Sequence, residues 1–375
     1  MQFTNVTIKW SPRTLMFYLA IILGCYLITC VIPKKKIKWG KGKKEKYPVS
    51  LLIVAIVLLI VKCFNTTGRD LRSGYFFNFQ SATSMSGYRD QTLEPGFRLL
   101  MVIIRNITDN YTVFLFVVGL ITILPVIHFI YKYRDKIDVP AAVLLFTSIY
   151  FINSFSAYRQ YMAVSISLFA FDAIMEKKPY RALAWISISS TIHVACLALI
   201  IPYVLYLAKM LSKKMIAISA VAFFILLYLG RGSIASLLWG YERYSIYLIN
   251  QDVRFGLEQI VYYAPMFLLL YLCRKNREDR DVAKIAYIYV ITGFAFGMLS
   301  YILPIFGRMQ TIFMPIIILL PYFIRVYKRR NSRNIRRALS AIIVVYGIAR
   351  FVIWITQYYN LEDLMPYTNV FGRII

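Results

Sequence analysis

Residues 180–210 read YRALAWISISSTIHVACLALIIPYVLYLAKM, and the way this run is laid across a bilayer decides the fold. As one straight helix it would be about 45 Å long at 1.5 Å per residue, against a hydrocarbon core of about 30 Å. Both of its ends are basic, with Lys177, Lys178 and Arg181 at the start and Lys209, Lys213 and Lys214 at the finish. Cytoplasmic loops carry an excess of Lys and Arg, so two basic ends belong on one side. The run is therefore predicted to turn back near His193 as a helical hairpin.

Lipid enters as the solvent because of composition. Apolar residues make up 59% of the 375-residue chain and charged residues only 16%, with a mean hydropathy of +0.62. A soluble chain carries roughly a quarter charged residues, and one core of this size could not bury so much apolar surface. Disordered tails, secreted disulfide scaffolds and soluble nucleic-acid binders are excluded as classes. Apolar runs near 14–32, 48–64, 112–131, 139–153, 160–175, 215–230, 257–273, 284–305, 310–327 and 338–356 are long enough to read as membrane helices. With the hairpin they make about twelve crossings. The expected fold is all-α, a polytopic integral membrane helical bundle forming a single transmembrane domain over residues 1–375.

Charge orients the bundle. Of the 44 Lys and Arg, set against 17 Asp and Glu, 29 fall in six alternate loops if Lys34–Lys46 is cytoplasmic. Reading 180–210 as one crossing would instead export 15 of the 21 basic residues from Lys209 onward, compared with 6 for the hairpin. The positive-inside rule favours the hairpin and places both termini outside. The 15 basic residues left on the outer side comprise 13 Arg and only Lys9 and Lys62. Guanidinium forks stay charged and hold phosphate or pyrophosphate bidentately.

Three outer segments carry most of the polar information: the long loop 65–111, the short NSFSAYRQ at 153–160, and the second loop 231–256. Within the first, Phe97–Ile107 is apolar all round except at Arg98 and Arg105. It is predicted to be a short interfacial helix with Pro95 in its first turn. Arg159 stands at the mouth of an otherwise uncharged helix, where an ionisable residue is a functional candidate by default; Ser154, Ser156 and Gln160 lie beside it. His193 could accept a proton or hydrogen-bond a phosphate. Arg308, in LPIFGRMQTIF, follows Gly307, which allows close approach of a ligand to the backbone. Asp70 and Asp90 each follow an Arg, and Glu94 opens EPGF. A carboxylate there could act as a general base or pair with Arg and cap the helix. Five Cys without CxxC spacing, two His, and no HExxH, Walker or GxGxxG pattern give no support for a metal site, ATP or a dinucleotide. No cofactor is expected.

The loop with RD and EPGF, followed by NSFSAYRQYMAVSISLFAF and EKKPYRALAWISISSTIHVACL, resembles the EpsG/Wzy-type polysaccharide polymerases, over about Gly68–Ile200 and more loosely Arg308–Lys328. The resemblance implies a GT-C-like, multi-pass enzyme of the bacterial plasma (inner) membrane. Its substrates would be undecaprenyl-diphosphate-linked glycans, presented among membrane lipids on the outer face, with a flippase and a chain-length regulator as partners and no nucleic acid. A hydroxyl of the acceptor sugar would attack the donor's anomeric carbon with inversion and without a metal, and polyprenyl diphosphate would leave. By the same resemblance Arg159 and Arg308, then Arg89, would hold the diphosphate, His193 would hold phosphate or assist proton transfer, and Glu94 would be the acid/base. Gln160 and Asp90 would support them. An O-antigen-ligase-like transferase and a lipid-linked oligosaccharide flippase are the rivals. The former usually has a very large late outer loop, and the latter needs charge deep in a cavity and often internal repeats.

Overall fold

The computed structural model describes residues 9–32, 37–38, 44–45, 49–86, 93–207, 257–273, 280–301, 305–322, 333–372 and 374–375. Three of the described α-helices start where a short polar side chain caps them. Ser11 accepts from the Thr14 N–H at 3.2 Å to open α1 (Pro12–Val31), with Pro12 in the first turn. The Lys-rich segment that follows carries a two-residue antiparallel ladder, Ile37–Lys38 against Lys44–Glu45. Then come α2 (Val49–Cys63), a π-turn over Leu71–Tyr75, α3 (Phe76–Gln80) and α4 (Pro95–Ile107). Asn110 caps α5 (Tyr111–Lys132) through the Thr112 N–H at 2.9 Å, and Asp138 caps α6 (Val139–Leu145). That last helix runs on through a π-turn and a 3₁₀ turn as far as Phe155. The remaining helices are α7 (Tyr158–Met175), α8 (Pro179–Ile192), α9 (Ile200–Leu207), α10 (Leu257–Cys273), α11 (Arg280–Leu299), α12 (Ile305–Phe313) and α13 (Arg333–Tyr358).

The core centres on α7, which is buried along nearly its whole length. It packs against α5 and α8, while α11 pairs with both α10 and α12 and α1 lies against α6. The expected all-helical membrane bundle is present; the expectation of about twelve crossings is not established by the described helices alone. Five stretches are long and apolar enough to span a membrane: 12–31, 111–132, 282–299, 305–322 and 337–358. Val49–Cys63, Val139–Phe155 and Val194–Leu207 are apolar but shorter. The expected helix 215–230 and the loop 231–256 lie outside the described residues.

Two physical effects keep further helices out of that set. Enclosed by other helices, α7 has no lipid to satisfy and carries Ser165, Ser167, Arg159 and Asp172, which dilute its hydropathy. α8, with 14 residues, is only about 21 Å long, short of the ~30 Å core.

The break after α8 needs neither Gly nor Pro. His193 is extended (φ −148°, ψ 112°), and its ring Nδ1 accepts the Ala195 N–H at 3.3 Å, capping a 3₁₀ turn over Val194–Leu199. Beyond that turn α9 touches α8 again and packs against α11.

Candidate active site

The site is assembled around the first turn of α7. The loop after α2 reaches it closely because Gly68 has φ +111° and no side chain; a Cβ there would run into the carbonyl of Phe155. Asp70 is thereby docked, donating its N–H to Ser156 O at 3.2 Å and accepting the Tyr158 N–H on Oδ2 at 3.0 Å. It caps α7 from outside the helix. Beneath it Lys62, fully buried, donates to the carbonyl and hydroxyl of Ser154 and sits 3.5 Å from the Tyr158 ring centroid. The C-terminal segment is knitted to the same loop: Thr66 N–H donates to Thr368 O at 3.0 Å, Gly68 N–H to Asp363 O at 3.0 Å and Arg69 N–H to Glu362 O at 3.2 Å.

Every residue of EPGF has a task. Glu94 is buried and ion-paired with Arg159, and its other oxygen accepts the Val194 N–H at 3.4 Å. Pro95 opens α4, and Gly96 lets that helix lie on α8, where a Cβ would meet the Thr191 carbonyl oxygen at 2.8 Å. Phe97, fully buried, lies 6.0 Å from the Arg159 guanidinium. Arg159 also donates through Nε to the Tyr75 hydroxyl at 2.5 Å. Burial pushes the Asp70 carboxyl above the usual carboxylate range, with Arg159, Tyr75 and Arg308 pulling it partly back. Burial likewise holds the Tyr75 hydroxyl in its protonated form.

This network borders a cavity of about 660 Å³. Its cations are Arg69, Arg159, Arg308 and Arg350, and its lining acids are Asp70, Glu258 and Glu362. Gln160 donates to the Arg308 carbonyl at 2.7 Å and ties α12 to α7. Tyr301 donates to Glu258 and Ser156 to Glu362, while Tyr262, Trp354 and Tyr358 add aromatic surface. His193 also lines the cavity. Because its Nδ1 accepts from Ala195, the neutral ring carries its proton on Nε2. That makes it a hydrogen-bond donor, the form that serves an oxyanion. Among the described residues no group of three or more His, Cys, Asp or Glu could hold a metal ion. Arginines, a donor imidazole and carboxylates around a polar, aromatic-sided chamber can bind a phosphorylated saccharide.

The model of the EpsG family matches residues 48–369. The chain belongs to the EpsG family. The match runs from the start of α2 through the C-terminal segment, so every residue of the network from Lys62 to Thr368 falls within it. No curated protein and no solved structure matches the chain. EpsG membership, together with the apolar helices, makes this a membrane protein and supports polysaccharide repeat-unit polymerisation as its general function.

In this EpsG protein Arg159, His193, Arg308 and Gln160, all singled out from the sequence, meet at one cavity. Glu94 is not among the lining residues and bonds to Arg159 instead. Arg89 and Asp90 lie outside the described residues. Sequence reasoning passed over Tyr75 and gave Asp70 no task beyond structure; nothing local marks Tyr75, but RD directly before LRSGY does mark Asp70. It also passed over Arg350, although a lone Arg inside AIIVVYGIARFVIWI is the signal that picked out Arg159.

Proposed function

We propose that this protein polymerises lipid-linked oligosaccharide repeat units on the outer face of the bacterial plasma membrane, by inverting glycosyl transfer with polyprenyl diphosphate as leaving group. A hydroxyl of the acceptor sugar attacks the donor's anomeric carbon. The bond from that carbon to the diphosphate oxygen breaks, and the diphosphate leaves with the electron pair. Arg159 and Arg308 bind the diphosphate and offset the charge that grows on it, and His193 donates through Nε2 to one of its oxygens.

The hydroxyl proton passes to a carboxylate. Asp70 suits this step better than Glu94, because it lines the cavity and burial raises its proton affinity. Glu94 acts as a positioning residue for Arg159.

The observation that carries this reading is an arginine held by Glu94 and Tyr75 on the wall of the chamber that Arg308 and His193 also line. Fixed cations aimed at a leaving group lower the barrier without reorganisation at the moment of reaction. The test is reconstitution of purified protein in lipid vesicles with synthetic polyprenyl-diphosphate repeat units, with and without EDTA. The expected result is a ladder of elongated products with release of polyprenyl diphosphate, unaffected by chelation. Intact substrate after prolonged incubation overturns the reading. A product count that stops at one transfer to an unrelated lipid favours the ligase-like alternative.

A further inference from the structure

Arg350 lies within the apolar run of α13, 6% exposed, and lines the cavity. Its partners are all neutral. One terminal nitrogen donates to the Tyr346 hydroxyl at 2.9 Å, the other meets the Met314 sulfur at 3.2 Å, and the Tyr262 ring lies 4.5 Å from its guanidinium carbon. No ion pair joins it to a carboxylate among the described residues. Arg159 differs, having Glu94. A guanidinium has five N–H donors, and a thioether sulfur is a weak acceptor. A cation so placed, buried and with no carboxylate at ion-pair distance among the described residues, is costly and marks a ligand site by default.

A second, independent observation points to the same wall. Among the described residues, three that line the cavity each have a buried polar atom with no hydrogen-bond partner: Ser148 Oγ, Asn153 Oδ1 and Tyr262 Oη. Ser148 is 1% and Asn153 7% exposed. Ser148 Oγ comes within 3.2 Å of the position a Cβ on Gly347 would take, three residues before Arg350 on α13, and Tyr262 is the ring next to the guanidinium. Buried polar groups are almost always satisfied. Two hydroxyls and a guanidinium can donate to phosphate oxygens, while the amide oxygen can take a sugar hydroxyl.

We propose that Arg350, Ser148, Asn153 and Tyr262 form a second anion subsite, which holds the sugar diphosphate of the acceptor lipid. The identity of the ligand rests on the polymerisation reading, in which donor and acceptor both carry polyprenyl diphosphate. Two such head groups repel one another and need separate cations. Arg159 stands on the wall built by α4 and α7, and Arg350 on the wall built by α10 and α13.

The experiment measures binding and turnover separately. Polyprenyl diphosphate is titrated into wild-type protein, Arg350→Gln and Arg308→Gln, all in nanodiscs. Wild type is expected to bind two per chain and each variant one. Elongation is then followed with acceptor repeats on polyprenyl diphosphate and with the same saccharide on a neutral alkyl chain. Arg350→Gln should use the diphosphate acceptor about 10- to 100-fold less well, the range a charge-assisted hydrogen bond supplies, and the neutral acceptor as well as wild type does. Arg350→Lys should recover part of the loss.

One bound diphosphate in wild type, or equal losses with both acceptors, overturns the proposal. Two bound diphosphates without any polymer growth would leave the subsite standing and sink the polymerisation reading, while growth with one bound diphosphate does the reverse. If Arg350→Gln fails to fold, Ser148→Ala takes its place, with a several-fold rise in KM for the diphosphate acceptor alone; a KM unchanged from wild type counts against the subsite.

Discussion

The two ends of α7 hold opposite charges in opposite surroundings. At the N-terminal end Arg159 is paired with Glu94, the side chains 16% and 8% exposed. At the C-terminal end Asp172 and Glu176 gather Lys132, Lys178 and Arg181, the last two more than half exposed. Both ends run against the helix macrodipole, which favours acids at the start and bases at the finish. Each is rescued from elsewhere in the chain, by Glu94 and Asp70 at one end and by Lys132 of α5 at the other. The difference is solvent. Asp172 is itself buried, but water and salt screen the pairs of Glu176, so each of those contributes at most about 1 kcal/mol. Arg159 cannot relax toward water, and Glu94 and Tyr75 set its position before a ligand arrives. The same chemistry fastens helices at one end and presents a preorganised cation at the other.

The largest test of that contrast is Arg159→Ala. Polymer formation is expected to fall by about 10²–10³ or more, the scale of losing a preorganised charge, while single lipid-linked repeats still reach the outer face. Wild-type chain-length ladders at normal expression would break the assignment. Next comes Glu94→Gln, which keeps shape and removes charge. With Arg159 free to shift by about an ångström, a loss near 10²-fold is expected. Glu94→Ala should in addition destabilise the fold by about 3–5 kcal/mol, because it strands a buried cation. Arg159→Ala combined with Glu94→Gln should be no slower than Arg159→Ala alone. Rates that multiply would show two independent roles and return Glu94 to candidacy as the base.

Asp70 sharpens the contrast through pH, since the two ends respond with opposite sign. Its carboxyl is raised by burial, so the folded state keeps the proton to a higher pH than the unfolded chain does. Through the window from the ordinary value of about 3.9 up to the raised one, acid favours folding yet removes the base. Activity should therefore fall on an acid limb lying above pH ~4 while stability holds, and Asp70→Asn should lose activity at every pH. An acid limb at or below ~4, or an active Asp70→Asn, removes Asp70 from the chemistry. Glu176 is the reverse: hydrogen bonds from Lys132 and Lys178 hold it down to about 2. Its contribution is complete above the ordinary value of about 4.3 and is lost as pH falls toward 2.

How much of this was legible in the sequence depended on the range of the interaction. Arg159 announced itself as an ion in an apolar run, and EPGF as a helix start. The turn near His193 could be inferred from basic ends and bilayer thickness, although nothing local said that the imidazole itself caps the next turn. Glu94 was ambiguous because a carboxylate beside a helix start serves as base or as Arg partner with the same spelling; only its contact with Arg159, 65 residues away, separates the two. The pairing of Thr66 with Thr368, about 300 residues apart, has no periodic or compositional trace. Only five described stretches are long and apolar enough by themselves to span a membrane, because enclosed helices such as α7 answer to neighbours and not to lipid. The expected helix 215–230 lies outside the described residues. Arg350 carried a readable signal, but assigning it to the outer interface hid its depth.

The smallest expected effect is the one that gives the contrast its lower bound. Glu176→Gln removes a carboxylate that faces three cations, which on paper is a denser set of ion pairs than Arg159 has. If ion-pair number mattered more than burial, this substitution would be the more damaging one. Solvent screening argues otherwise: stability should drop by no more than about 1 kcal/mol, or roughly 2–4 °C in Tm, with polymerisation at the wild-type rate. Asp172 keeps its bonds to Lys132 at 2.5 Å and to the Tyr133 hydroxyl at 2.9 Å, so α5 and α7 stay joined. The small loss should shrink further in high salt, whereas the effect of Glu94→Gln, whose ion pair is shielded from solvent, should not. A salt-insensitive Glu176→Gln defect, or one that stops polymer growth, would mean that the open end of α7 also governs the reaction, and burial would no longer separate the two ends.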